Sequence, residues 1–253
     1  MKVQSIDRAF DILEFLSKEP EGLSLTAIST RLALPTSTVF RILSSLRNRN
    51  YIEKKDSNNV YKLGLGFLEL TSIYLRGLEL KTEANPYIRW LSKQTGQVVF
   101  MGIEQDNELV YIDKHDQYDE RNDYCFIGQR HQLYCTALGK ALLIGHSNED
   151  IRKMYEKKGL KPYTEKTITN LDELIMQIEK NRERGYSIDD EENLMGWNCV
   201  SSPIYDYRGV IIAAISTSWR LDSKEPHDLK HNAELVKKTA LNISIHMGYV
   251  RKS

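Results

Sequence analysis

The sequence has few of the features that mark secreted or membrane proteins. Its 253 residues contain only three cysteines, Cys125, Cys135 and Cys199, an odd and small number that excludes a disulfide framework. No uninterrupted apolar run approaches the roughly 18 residues that a membrane span requires. The first ten residues lack the apolar core of a secretory signal. We therefore expect a protein of the reducing cytoplasm with no membrane partner.

The chain also lacks an excess of charge of either sign. It has 35 basic and 35 acidic residues, and its formal net charge is +0. No whole-molecule field therefore attracts nucleic acid, and a polyanion must be met by a local basic patch. Hydrophobic residues at 41% and charged residues at 28% are typical of a globular protein and exclude a wholly disordered chain. The length allows one large domain or two smaller ones.

Residues 1–63 have the pattern of three short helices followed by a β-hairpin. Ser5 and Ser24 are suitable N-caps for the first and second helices. Pro35 suits the first turn of the third, where its missing N–H is not needed. Two short strand-like segments then flank a turn-rich tip at 56–59.

The predicted third helix has one apolar face and one polar face. Val39, Ile42, Leu43 and Leu46 follow the spacing i, i+3, i+4 and i+7, which predicts a buried stripe. Residues 36–55 carry five basic side chains and one acidic side chain. The candidate DNA-binding residues on the outer face and just beyond it are Thr36, Ser37, Thr38, Arg41, Arg47, Arg49, Lys54 and Lys55.

Helix, helix, turn, helix and a basic hairpin together form the layout of a winged helix-turn-helix. An α-helix fits the major groove of DNA, and hydroxyl and Arg side chains near its start reach base edges or phosphates. Lys and Arg on the wing neutralise backbone charge and supply affinity. The alternative is a small helical domain whose Ser/Thr/Arg face is only solvated.

The remainder of the chain combines hairpin-linked strands with segregated helices. Helical patterns cover the region from about residue 65 to Trp90 and Leu91. This arrangement predicts an α+β domain with an antiparallel sheet. Strands are predicted at 98–104, 109–114, 124–128, 186–190, 200–205 and 210–218, and helices at 136–145, 150–158, 171–184 and 227–250.

Several segments in order along the chain resemble the IclR family of bacterial transcription regulators. They include SLTAISTRLALPTSTVFRIL at 24–43, YCTALGKA at 134–141 and GYSIDDEE at 185–192. Further matches are the opening segment 3–13, the wing end 61–64 and AAIS at 213–216. The resemblance therefore covers nearly the whole chain.

The resemblance implies a domain organisation and a function. It implies a winged helix-turn-helix domain at 1–64, a linker helix at 65–80 and a GAF-like effector-binding domain at 81–253. It also implies a homodimer or homotetramer that binds double-stranded operator DNA, usually as a repressor, under the control of a small organic-acid effector. Many members carry a basic residue at the position of Thr36, so one of the family's phosphate contacts is not expected here.

The start of the helix near residue 137 is the candidate seat for the effector's carboxylate. Backbone N–H groups of Ala137 and Leu138 lie at the positive end of the helix dipole. Alternatively, Thr136 only caps this helix and Gly139 only permits close packing. The resemblance adds further effector-pocket positions, which are Asp189, Trp197, Cys199, Ser216 and Ser218.

The effector that we expect is a keto acid, a sugar acid or another small carboxylate. The charge of Asp189 would repel a carboxylate, so we expect this residue to bind a hydroxyl or amide of the ligand. Trp197 replaces a smaller aliphatic residue common in the family and is expected to narrow or reshape the pocket. Alternatively, Asp189 is solvated within its acidic run, and Ser216 and Ser218 are ordinary edge hydroxyls.

Enzyme, metal and pure scaffold interpretations are the alternatives. Nucleophile-elbow, Walker, dinucleotide and zinc-protease motifs are absent from the sequence. The three cysteines suggest a thiol-dependent GAF-type redox enzyme, and His131 with Cys135 could join Cys199 or Asp189 around zinc. A third alternative is a ligand-sensing module that does not bind DNA. We expect a regulator without catalytic activity, cofactor or metal.

Overall fold

A computed structural model of the chain describes residues 3–55, 59–76, 79–116, 125–222 and 228–250, with the backbone alone for 72–76 and 79. The chain divides into two compact units, Met1–Gly77 and Leu78–Ser253. The expected linker helix at 65–80 falls on this division, because its first part groups with the first unit. The expected boundaries at 64 and 81 stay a prediction.

The first unit is a set of short helices with a small antiparallel sheet. Its strands have the order β1-β3-β2. In this sheet, β2 and β3 form the predicted hairpin, and β1 adds an edge strand that the sequence pattern did not predict. The elements are α1 (Gln4–Ser17), β1 (Leu23–Ser24), α2 (Leu25–Leu32), α3 (Thr36–Asn48), β2 (Ile52–Lys55), β3 (Val60–Leu63) and α4 (Gly66–Arg76).

Local capping in this unit confirms one expectation and corrects two. The side chain of Ser24 accepts a hydrogen bond from the amide of Ala27 at 3.2 Å and caps α2. The expected cap at Ser5 is wrong, because Val3 is the N-cap and its side chain makes no capping bond. Pro35 is the N-cap of α3 rather than a residue of its first turn. The core contains Ile12, Leu16, Leu23, Ile28, Val39, Leu43, Ile52 and Tyr61.

The wing ends in a close turn against the C-terminal end of α3. The amides of Gly64 and Gly66 donate to the carbonyls of Tyr51 and Asn50, both at 2.8 Å. A Cβ at Gly64 would lie 2.4 Å from the Asn50 carbonyl oxygen, so only glycine fits there. The ring of Phe67 then packs on that of Tyr51, with centroids 5.1 Å apart. The first turn of α4 is thereby attached to the winged unit.

The second unit is built on an antiparallel sheet whose described strands have the order β6-β5-β4-β9-β8-β7. This confirms the expected α+β class. Its elements are α5 (Glu79–Thr95), β4 (Val98–Gln105), β5 (Glu108–His115), β6 (Arg130–Gln132), α6 (Ala137–Leu143), α7 (Asn148–Tyr155), α8 (Leu171–Arg184), β7 (Ser187–Asp190), β8 (Trp197–Tyr205), β9 (Ile211–Arg220) and α9 (Leu229–His246).

The two faces of this sheet carry separate layers of helices. Val99, Met101 and Ile215 point to one face and share a buried cluster with residues of α5 and α9. Val98 and Phe100 point to the other face and share a cluster with residues of α6, α7 and α8. The second face, which we call the α6 face, holds the expected effector-pocket positions.

The strand predicted at 124–128 is wrong. Residue 124 lies outside the described residues, Cys125 and Phe126 are not in a strand, and residues 126–129 form a turn in which Gly128 has φ +90°. The amide of Phe126 donates to Oε1 of Gln129 at 3.0 Å, which closes this turn. The strand follows instead as β6, which pairs with β5. Four consecutive nonpolar or aromatic residues therefore resembled a strand although Phe126 is 67% exposed.

Candidate functional sites

The outer face of α3 is exposed, as the spacing predicts. Val39 and Leu43 are fully buried beneath it, whereas Thr36, Ser37 and Arg41 are exposed and Thr38 is half-buried. The helix is therefore anchored from behind by its apolar stripe. Its hydroxyl and guanidinium groups remain accessible to a ligand.

The basic residues beyond α3 are also accessible. Arg47, Arg49 and Lys55 are exposed, and Lys54 is half-buried with its ammonium 6.0 Å from the centre of the Tyr61 ring. Two other basic residues of this unit, Arg31 and Lys62, form ion pairs with Glu19 and Glu21. The candidate DNA-binding cations form no ion pair within the described residues, so their charge is not neutralised by a neighbouring carboxylate.

Phe40 is a surface residue that the sequence pattern did not single out. It lies on α3 between Ser37 and Ser44 and is 50% exposed. A large aromatic ring at this exposure does not contribute fully to the core. The signal was available in the sequence, because Phe40 lies outside the spacing of the apolar stripe.

On the α6 face of the second unit, polar side chains line up across neighbouring strands. The sheet register pairs Asp189 of β7 with Cys199 of β8, and Cys199 with Ser218 of β9. Ser216, two positions before Ser218, pairs with Ser201 and Phe100 and shares the same face. Asp189, Cys199, Ser216 and Ser218 are each at most 5% exposed. The sequence reasoning therefore identified residues that the fold brings together.

Trp197 extends this row. It precedes Cys199 by two positions on β8, so both side chains are on the same face. It is half-buried and packs against the apolar cluster around α6. Trp197 therefore lies at the margin of the polar row and contributes bulk there.

Asp189 is buried, so the alternative in which it is solvated within its acidic run is wrong for this residue. Its Oδ1 accepts hydrogen bonds from the backbone amides of Glu192 at 2.8 Å and Asn193 at 3.3 Å. These bonds hold the turn after β7. Burial raises the pKa of Asp189 to about 7, against the opposing effect of Lys140.

A buried ion pair beside Asp189 was not identified from the sequence. The ammonium of Lys140, on α6, donates to Oε1 of Glu192. Lys140 is fully buried, and Oε2 of Glu192 has no hydrogen-bond partner in the described part of the chain. Burial raises the pKa of Glu192, while Lys140 acts to lower it. No local pattern links these residues, because 52 positions separate them.

The start of α6 has the geometry expected of a capped helix. Oγ1 of Thr136 accepts from the amide of Gly139 at 3.0 Å, and the Thr136 carbonyl accepts from Lys140 at 2.9 Å. For Ala137 and Leu138, each 2% exposed, the described residues supply no acceptor for the backbone N–H. A Cβ at Gly139 would lie 2.3 Å from the Leu133 carbonyl oxygen, so Gly139 also permits close packing. Both interpretations of this motif are therefore compatible with the geometry.

The cysteines and histidines do not form a reactive or metal-binding arrangement in the described residues. Cys125, Cys135 and Cys199 are buried and are not joined in disulfides. Burial raises the pKa of Cys125 to about 11 and that of Cys135 to about 12, which disfavours the thiolate that redox chemistry requires. Nε2 of His131 is 2.8 Å from Nε2 of Gln129. Nowhere in the described ranges do three His, Cys, Asp or Glu side chains form a group that could hold a metal ion.

None of the described helices combines the length and the apolar character needed to cross a membrane.

Comparison with known proteins identifies both units. Residues 5–56 match the IclR helix-turn-helix domain, and residues 72–245 match the bacterial transcriptional regulator IclR C-terminal domain. The transcriptional regulator KdgR of Escherichia coli is 32% identical over 247 residues, which cover 98% of this chain and 94% of the relative. The transcriptional repressor AllR of Klebsiella pneumoniae is 33% identical, over 97% and 90% of the two chains.

A solved structure agrees with these sequence matches. The crystal structure of the Thermotoga maritima IclR superimposes with a TM-score of 0.83 at 29% identity and covers 97% of this chain and 99% of that chain. The relatives are helix-turn-helix-type transcriptional regulators, which excludes the thiol-enzyme alternative. The chain therefore belongs to the IclR family and is a helix-turn-helix transcriptional regulator.

Proposed function

We propose that the exposed face of α3 reads the major groove of an operator and that the wing binds the flanking phosphates. The observation that carries this proposal is the combination of an exposed Ser37 and Arg41 with a fully buried Val39 and Leu43. Hydroxyls and guanidinium groups recognise base edges, whereas Arg47, Arg49, Lys54 and Lys55 supply charge for phosphates. Repression follows when the bound regulator occludes a promoter.

The test of the wing uses duplexes selected from a random pool by the purified chain. The double variant with Lys54→Gln and Lys55→Gln should bind the selected operator more weakly and lower the slope of log Kd against log salt by nearly 2. It should select the same sequence, because phosphate contacts do not read bases. An altered selected sequence would instead assign base reading to the wing.

Phe40 adds an apolar contact to the proposed groove-facing surface. Apolar side chains on recognition helices contact the C5-methyl group of thymine. Replacing thymine by deoxyuridine, one position at a time, should reveal one position at which wild-type affinity falls. Phe40→Ala should be insensitive to that replacement. Equal sensitivity of both proteins at every position would contradict the contact.

We also propose that the α6 face of the second unit binds a small carboxylate effector, such as a keto acid or a sugar acid. Burying hydroxyl and carboxyl groups costs free energy unless they are paired, so the polar side chains of Asp189, Ser216 and Ser218, which form a row with Cys199 on this face, favour a polar ligand. The amides of Ala137 and Leu138 are donors for its carboxylate. Asp189 is the proposed partner for a ligand hydroxyl or amide, and Trp197 limits the ligand's size.

Ala137→Pro tests the carboxylate seat without removing a side-chain function. Proline removes one donor, and it suits the first position of a helix after the extended Thr136, whose φ is −112° and ψ is 148°. Calorimetry against a panel of small keto acids and sugar acids should show wild-type binding and about a tenfold or greater loss in the variant. Equal binding by both proteins would place the carboxylate elsewhere, and absence of binding by wild type to the whole panel would contradict the ligand class.

The proposed assembly is a homodimer or homotetramer. Large apolar side chains are exposed on two helices of the first unit, which supports an interface between copies of this chain. On α1 they include Ile6 and Phe10, and at α4 they include Leu65, Leu68 and Leu70. Leu68→Asp should reduce the mass measured by light scattering, whereas Met176→Asp on α8, a similarly exposed position, should not.

A further inference from the structure

A groove in the first unit extends the polar surface of α3 onto α1. Its volume is about 490 Å³. Ser5 and Arg8 of α1 line it together with Thr38, Arg41, Ser44 and Ser45 of α3, and two apolar residues complete the lining. No aspartate or glutamate is among the described residues that line this groove, which we call the α1–α3 groove.

Two hydroxyls of this groove have acceptors within the first unit, whereas its guanidinium groups have none in the described ranges. The hydroxyls of Ser44 and Ser45 donate to the carbonyls of Phe40 and Arg41 at 2.8 and 3.1 Å. By contrast, no ion pair or side-chain hydrogen bond joins Arg8 to another residue in the described ranges, unlike Arg31, which pairs with Glu19 at 2.7 Å. The groove therefore contains two guanidinium groups, those of Arg8 and Arg41, without a neutralising carboxylate.

Arg8 is half-buried, whereas Arg41 is exposed. A partly buried stem restricts the side chain before binding, and the guanidinium fork matches two oxygens of a phosphate. The α1–α3 groove is shallow and open, and it lies beside the proposed recognition helix α3. The anion that fits it is a backbone phosphate of the DNA strand at the edge of the major groove that α3 enters. Contacts to phosphates fix the register and orientation of a protein on the duplex.

We propose that Arg8, with the Ser5 hydroxyl, binds one backbone phosphate of the operator and thereby fixes the orientation of α3 in the major groove of the DNA. This inference rests on the proposed function of α3 and adds a contact from a different helix. Because the contact is to a phosphate, it supplies affinity and register but does not distinguish bases.

The first test measures the salt dependence of DNA binding by the full-length chain. Arg8→Gln should weaken binding to the selected operator and to a scrambled duplex by the same factor, about three- to tenfold. It should also lower the slope of log Kd against log salt by about 0.9. Lys18→Gln is the matched control, because Lys18 is an exposed basic residue at the opposite end of α1 and outside the groove. This control should change neither quantity.

A second test identifies the phosphate. Single phosphates of the operator are replaced, one at a time, by neutral methylphosphonates. At one position this replacement should lower the affinity of wild type but leave the affinity of Arg8→Gln unchanged. Arg8→Lys keeps the charge and serves as the fold-preserving variant: it should retain the wild-type salt slope and lose part of the affinity.

Three outcomes overturn the inference. One is a wild-type salt slope in Arg8→Gln, and another is an affinity loss confined to one base pair, which would make Arg8 a base-reading residue. The third is an equal methylphosphonate profile for wild type and variant. All three outcomes can be observed only if wild type binds the operator. If the proposed function itself is wrong, wild type will show no sequence-selective binding.

Discussion

Arg41 lies on the side of α3 opposite the buried residues Val39 and Leu43, and it is exposed. If Arg41 reads a base, Arg41→Ala should weaken operator binding by about 1–3 kcal/mol and relax the preference at one position. Arg47→Ala, in the last turn of the same helix, should weaken binding uniformly across sequences and reduce the salt slope by about 1. Quantitative gel shifts with single-base operator variants measure both effects. An unchanged base preference in Arg41→Ala would show that Arg41 contacts only the backbone.

Asp189 makes stability depend on pH. Burial raises its pKa in the folded protein to about 7, above the ordinary value of 3.8. The folded state therefore binds a proton between these values that the unfolded state has lost, so the free energy of unfolding should fall as pH rises from about 4 to about 7. Asp189→Asn keeps an oxygen acceptor for the amides of Glu192 and Asn193 but cannot ionise.

The Tm of wild type and Asp189→Asn, measured between pH 4 and pH 8, checks this expectation. As the pH rises across this interval, the Tm of Asp189→Asn should fall less than the Tm of wild type. Asp190→Asn is the control, because Asp190 is the neighbouring exposed carboxylate on β7. Parallel Tm profiles for wild type and Asp189→Asn would mean that Asp189 stays ionised, stabilised by Lys140.

At the scale of single elements, α6 depends on a glycine that no side chain can replace. A Cβ at Gly139 would lie 2.3 Å from the carbonyl oxygen and 2.4 Å from the Cα of Leu133, both backbone atoms. At Gly102 the nearest atom, at 2.4 Å, is Cδ1 of Leu109, which is the movable end of a side chain. Gly139→Ala should therefore destabilise the second unit by about 1–3 kcal/mol, and Gly102→Ala by less.

Denaturant unfolding of both variants measures this difference. The comparison also tests the proposed carboxylate seat, because displacement of α6 moves the amides of Ala137 and Leu138. Effector affinity should fall in Gly139→Ala and remain close to wild type in Gly102→Ala. Equal destabilisation by the two substitutions would show that the backbone of Leu133 shifts as readily as the side chain of Leu109.

Elements governed by local patterns were predictable from the sequence. The stripe of Val39 and Leu43 predicted the orientation of α3 correctly. Asn170, a residue type favoured at N-caps, accepts from the amides of Asp172 and Glu173 at the start of α8. The cap expected at Ser5 failed because a suitable residue type does not determine where a helix begins. Residue type favours a cap, but tertiary packing selects the helix start.

Features that depend on long-range contacts were not predictable in the same way. The edge strand β6 has only three residues and is defined by pairing with β5, whereas its own sequence, Arg-His-Gln, has no strand pattern. The Lys140–Glu192 ion pair joins α6 to the turn after β7. The row of Asp189, Cys199 and Ser218 was located only through the family resemblance. Sheet register then explains why these residues meet.

At the scale of the whole molecule, the zero net charge hides a local excess of unpaired basic residues on the proposed DNA-binding surface. The net charge is +0, yet the candidate DNA-binding cations of the first unit, such as Arg41 and Arg47, are without an ion pair in the described part of the chain, unlike Arg31 of the same unit. In the second unit, Lys140 is paired with Glu192. DNA affinity therefore depends on local charge rather than on a field of the whole chain. An effector that binds the second unit shifts DNA binding only by its differential affinity for the bound and free forms.

A homo-oligomeric regulator should require two operator half-sites at a fixed helical phase. Half-sites one helical turn apart, about 10–10.5 base pairs, or a multiple of a turn apart, present the same face of the duplex to two recognition helices. Inserting 5 base pairs between the half-sites rotates one of them to the opposite face, so affinity should fall toward that of a single half-site. Inserting 10 base pairs restores the face and should recover part of the loss.

Fluorescence anisotropy with the three duplexes measures these affinities, and the affinity of Leu68→Asp should depend little on the spacing. Equal wild-type affinity for all three duplexes would show that each winged unit binds independently, and the proposed paired reading of the operator would then be wrong.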